Sequence, residues 1–113
     1  MRSPREVVAA HLDAVRALEV VAMAADYAPD AVLVRGAQSY RGHAAIAAYF
    51  VGVPDRLAGG RVEAAIVEVD GAQVRVRWRI VGGPGDGSSG QDQLRVSDGM
   101  IIEQTVELDD ADF

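Results

Sequence analysis

The sequence predicts an α+β domain in which helices cover one face of an antiparallel sheet. Three observations carry this expectation. A capped, amphipathic helical segment opens the chain, strict apolar/charged alternation runs through the second half, and Asp-Gly pairs punctuate the alternating runs. Helices with one apolar stripe and strands with one apolar face bury both surfaces by packing as two layers.

The elements follow in order. In "SPRE", residues 3–6, Ser3 can cap, Pro4 suits the first helical position and Glu6 completes a capping box. Val7, Val8, His11, Leu12, Ala14, Val15 and Leu18 then form a broad helical stripe. A second helix is expected over roughly residues 19–27, ended by Pro29. Residues 31–35, "AVLVR", read as a short strand, with "QSYRG" pairing back on it. "GHAAIAAYFVGV" reads as a helix with Ile46, Tyr49, Phe50 and Val53 on its core side, and Pro54 follows it. Four strands follow at about 61–70, 72–81, 91–97 and 100–108, with turns at Asp70-Gly71 and Asp98-Gly99 and a longer loop over residues 82–90.

Within "QVRVRWRIV", Val74, Val76, Trp78 and Ile80 share one face and Gln73, Arg75, Arg77 and Arg79 the other. On the last strand Ile102, Gln104, Val106 and Leu108 oppose Ile101, Glu103, Thr105 and Glu107. Arginines on one strand and glutamates on another suit charge pairing across the outer face, or a homodimer formed through that face. The same alternation places Asp92 beside Leu94 and Val96 on the apolar side, where an unpaired carboxylate is costly. Asp92 is therefore a candidate pocket acid, against the plainer reading of a strand-end carboxylate that turns to water or pairs with Arg35.

Composition removes several chemistries. The 113 residues suit one domain over 1–113, and the formal charge of -6 argues against a nucleic-acid partner. There is no cysteine, which excludes disulfides and thiolate chemistry, and all 11 basic residues are arginine, which excludes a Schiff-base lysine. "GDGSSG" matches a dinucleotide-binding pattern but leads into a strand rather than a helix, so no nucleotide is expected. Two distant histidines make no zinc pattern, and no metal or organic cofactor is expected. The first residues lack the long apolar core of a signal peptide and no apolar run could span a bilayer, so the expectation is a cytoplasmic protein without a membrane partner.

With "ADYAPDAVLV", "YRGHAAIAAYF" and "DQLRVSDGMIIEQ", this order of elements resembles the nuclear transport factor 2-like superfamily, in its branch of ketosteroid isomerases and SnoaL-like polyketide cyclases. The resemblance implies a cone-shaped curved sheet wrapped around the N-terminal helices, an internal pocket and a homodimer. It also implies three pocket groups: a tyrosine on the first helix, a proton-moving aspartate ending the first strand, and a protonated aspartate on the fifth strand. Their positions fall on His11, Arg35 and Asp92, so the family's general base is replaced by a cation. Tyr27, Tyr49, Trp78 and Gln104 are expected in the pocket wall. The expected activity is acid/base proton transfer on a small apolar substrate, cyclic substrates included, that carries a carbonyl or epoxide oxygen. The alternatives are a non-catalytic binder with the same pocket and a dimerising interaction domain.

Overall fold

A computed structural model describes residues 1–110. Helix α1, Pro4–Ala17, starts on the expected capping box: the Glu6 amide donates to Ser3 Oγ at 3.2 Å and the Ser3 amide to Glu6 Oε1 at 2.8 Å. It ends at Leu18, which takes the left-handed conformation at φ 55°. Val7, Val8, His11, Leu12 and Ala14 are its buried face. Helix α2, Val20–Ala25, is shorter than expected because the next strand begins earlier.

That strand, β1, spans Tyr27–Arg35 and contains Pro29. Its pairing with the last strand is irregular between Tyr27 and Val32, where a residue without an N–H is tolerated. Strand β2, Gln38–Arg41, pairs back on β1. Helix α3, His43–Val51, is followed by a further short helix, α4, Val53–Leu57. The expectation of one helix reaching Val53 is thus corrected: the helix ends at Val51, and Val53 and Pro54 open α4, where the missing N–H of Pro54 has no helical partner to lose.

Strands β3, Arg61–Asp70, β4, Gln73–Val81, β5, Ser89–Ser97, and β6, Met100–Leu108, complete one sheet in the order β2-β1-β6-β5-β4-β3. The pairings are antiparallel except β1 with β6, which run parallel, so the expectation of an antiparallel sheet needs that one correction. The turn between β3 and β4 is Gly71-Ala72 rather than Asp70-Gly71, since Asp70 is itself paired with Gln73. Asp98-Gly99 joins β5 and β6 as expected, with both residues at positive φ (53° and 75°).

The sheet wraps around α1, which packs against β3, β4, β5 and β6. Val74, Val76, Ile80, Leu94 and Val96 are buried under it. A register shift in β6 alters one expected face: Arg95 pairs with Glu103 but Val96 with Ile101, so Ile102 is the extra residue of a bulge. Ile101 is accordingly fully buried and belongs to the core, not to the charged face. Among the described residues, no helix is long and apolar enough to cross a membrane.

Candidate active site

Under α1, on the inner face of the sheet, lies a cavity of about 100 Å3. Leu12, Val15, Phe50, Val53, Ile80 and Val106 are among its apolar walls. Asp92, His11, Arg35, Tyr49, Trp78 and Gln104 also line it, so six of the seven residues expected there face one space. Tyr27 does not line the cavity; it is fully buried behind it and reaches it through Gln104.

Each position has a local cause. Asp92 pairs with Val76 on β4 and Val106 on β6, both inner-face residues, so the pleat turns its carboxylate inward. Arg35, the last residue of β1, pairs with Val106 and shares that face. Trp78 lies opposite Gly90 of β5, and a Cβ on Gly90 would sit 2.6 Å from the indole. The missing side chain lets the ring lie over β5 and point its Nε1 at Asp92.

Hydrogen bonds link Trp78, Asp92, Gln104 and Tyr27, and His11 stands at the end of this chain. Trp78 Nε1 donates to Asp92 Oδ1 and Gln104 Nε2 to Asp92 Oδ2, each at 2.9 Å. Tyr27 donates its hydroxyl proton to Gln104 Oε1. His11 Nε2 is 3.5 Å from the Tyr27 oxygen, and His11 Nδ1 is 2.9 Å from the Met23 carbonyl. A carbonyl only accepts, so Nδ1 carries the proton and Nε2 of the neutral ring is an acceptor. Tyr27 and Phe50 hold the imidazole edge-on, with centroids 5.4 and 5.3 Å away.

Electrostatics separates the two titrating groups. Burial raises the Asp92 carboxyl to about 6, against the hydrogen bonds from Trp78 and Gln104 and the nearby Arg35 charge, which favour the ionised form. Burial lowers His11 to about 4, so its ring is neutral at pH 7. Burial also raises the Tyr27 hydroxyl well above its ordinary value.

Sequence reasoning missed Arg56. It lines the same cavity from α4, with its guanidinium carbon 4.6 Å from the Tyr49 ring centroid. No element was expected between Pro54 and the strand at 61, which hid the helix that carries it. Among the described residues, no group of three or more His, Cys, Asp or Glu is placed to hold a metal ion.

This architecture is that of the nuclear transport factor 2-like fold. The sequence model of the SnoaL-like domain matches residues 8–104, and the chain belongs to that family. A candidate polyketide cyclase from Sinorhizobium meliloti superposes with a TM-score of 0.79 at 24% identity, covering 89% of this chain and 93% of its own. A candidate isomerase of the SnoaL-like family from Agrobacterium tumefaciens gives 0.75 at 21% identity, with 92% and 95% covered. An NTF2-like protein of unknown function from Mesorhizobium loti gives 0.83 at 20% identity, with 95% and 91% covered. No functionally curated protein matches the sequence.

Proposed function

We propose that the protein is a small-molecule enzyme that moves a proton on an apolar substrate bearing a carbonyl or epoxide oxygen, in the manner of isomerases and cyclases. The observation that carries this reading is Asp92: a carboxylate on the wall of an apolar cavity, with both oxygens held by N–H donors and its proton affinity raised to about 6. An acid of that strength is mostly ionised at pH 7 yet returns a proton readily, which suits a group that takes a proton from carbon and gives it back. Arg35 offsets the negative charge that develops on the substrate oxygen as the proton leaves.

Gln104 serves both forms of Asp92. Its amide N–H donates to the carboxylate while its carbonyl accepts from Tyr27. Once Asp92 is protonated, a flip of the amide lets the acid donate to the carbonyl, Gln104 donate to Tyr27, and Tyr27 turn its proton to His11 Nε2. His11 is then the terminal acceptor of the chain, a positioning group, rather than a donor to substrate.

The test is deuterium exchange from solvent into the α-carbon of a small cyclic enone, followed by proton NMR. Wild-type protein should catalyse exchange, and Asp92→Asn, which keeps shape but not basicity, should lose about 100-fold or more. Equal exchange in the two proteins would remove Asp92 from the chemistry and leave a binder with the same cavity.

A further inference from the structure

We propose that the ligand of this cavity is an apolar acid, whose carboxylate is held by Arg35 and Arg56 while its apolar body fills the space toward Asp92. This rests on the reading of the cavity as a substrate site, and names the class of substrate it takes.

The first observation is the sign of the wall. The chain as a whole is acidic, with a formal charge of -6. Yet among the described residues lining the cavity, two are guanidinium groups, Arg35 and Arg56, and one is a carboxylate, Asp92. The local charge therefore opposes the global one. Both arginines are half-buried beside apolar walls, where charged hydrogen bonds to an anion are stronger than in open water.

A second observation is that the two cations reach the cavity from separate elements. Arg35 comes from the end of β1, fixed on the inner face by its pairing with Val106. Arg56 comes from α4, its guanidinium lying over the Tyr49 ring at 4.6 Å. Tyr49 is itself braced by Tyr40 and Phe50, with ring centroids 4.8 and 5.2 Å away. A guanidinium resting on a ring face presents its N–H groups along its edge, in the plane where a carboxylate binds.

Third, the space suits a short molecule. A cavity of about 100 Å3 is of the same order as the roughly 150 Å3 apolar cavity known to bind benzene, so one ring with a short polar arm is its measure. Arg35 and Arg56 then hold the head, and the charge of Arg35 also reaches Asp92.

Calorimetric titration with trans-cinnamate and cinnamamide, a matched acid and neutral amide, tests the proposal. Wild-type protein should bind cinnamate at least tenfold more tightly than cinnamamide, the loss expected for a missing charged hydrogen bond. Arg35→Met and Arg56→Met should each weaken cinnamate about tenfold and leave cinnamamide little changed. Asp92→Asn, which removes the competing negative charge, should bind cinnamate as well as wild type or better. Equal affinity for acid and amide in wild-type protein, or no binding of cinnamate, overturns the proposal, and neither result depends on a variant folding. Selective cinnamate binding that needs both arginines, found beside unchanged α-proton exchange in Asp92→Asn, would keep the carboxylate site and remove the catalytic role of Asp92.

Discussion

The two faces of β4 carry polar groups under opposite rules. Outward, Arg75 pairs with Glu68 at 3.3 Å, Arg77 with Asp109 at 2.9 Å and Arg79 with Glu63 at 2.6 Å, all in reach of water. Inward, Trp78 holds Asp92, Gln104 holds Asp92 from the other side, and Tyr27 and His11 stand behind. Exposed ion pairs add little because water and salt already serve each charge. A buried polar chain is worth much more, and costs much more when one link fails. The proposed chemistry belongs on the inner face for that reason: among the described residues, the carboxyl whose proton affinity is raised, Asp92, lies there.

The largest effect expected from this contrast is in the pH dependence of stability. Asp92 binds its proton more tightly in the folded chain, about 6 against about 3.8. Its contribution is fully present below about pH 4 and is lost as pH rises through about 6. His11 is the reverse, about 4 folded against 6.5, so its contribution is present above 6.5 and is lost as pH falls through about 4. Each shift corresponds to about 3 kcal/mol, and the two slopes oppose each other in nearly the same window. Urea midpoints between pH 4 and 6.5 should therefore be nearly level in the wild type, rise with pH in Asp92→Asn and fall with pH in His11→Phe. Level profiles in both variants would mean that the inner face is no different from the outer one.

Gly90→Ala comes next. The new Cβ would lie 2.5 Å from the Glu107 carbonyl oxygen and 2.6 Å from the Trp78 ring. Backbone must shift as well as side chain, so destabilisation of about 2–3 kcal/mol is expected. The chain has one tryptophan, so its fluorescence reports directly on whether the indole has left Asp92. Unchanged emission and an unchanged urea midpoint would mean that Gly90 does not position Trp78.

Gln104→Leu should cost less, about 1–2 kcal/mol, although it cuts the chain at its middle. Two responses cushion it: Tyr27 can turn its proton to His11 Nε2, and Asp92 can hold its own proton longer. The second is measurable, since losing the Gln104 donor raises the Asp92 value further above 6 in carboxyl-carbon NMR. A fall would mean that Gln104 does not favour the ionised form.

Much of this was legible in the sequence, and the rest was not for particular reasons. The faces of β4, the inward side of Asp92 and the Asp98-Gly99 turn follow from local alternation and turn chemistry, which a single chain displays. The parallel pairing of β1 with β6 joins residues about seventy positions apart, and nothing local chooses that partner. The bulge at Ile102 hides inside a run of apolar residues, "MII", in which any of the three could face the core. Arg56 was lost because a proline both ends and begins helices, and only the packed fold distinguishes the two.

The smallest effect is expected on the outer face, at Glu63. This carboxylate accepts from Arg79 at 2.6 Å and Arg61 at 3.1 Å, and both arginines hold its pKa below the ordinary value. All three side chains are open to water, so Glu63→Gln should leave the urea midpoint of dilute protein almost unmoved, and added salt should erase what difference remains. The same face is where the sequence expects a second copy to pack, and that expectation gives the measurement a second use. If the face is bare in solution, the effect of Glu63→Gln is the same at every protein concentration. If a second copy covers it, Arg79 and Arg61 lose water when they lose Glu63, and the variant is weakened more as concentration rises and the wild type associates. Sedimentation equilibrium beside the urea series separates the two cases. A destabilisation of several kcal/mol in a protein shown to be monomeric would break the comparison between the faces, because an exposed pair would then be doing what only a buried one should.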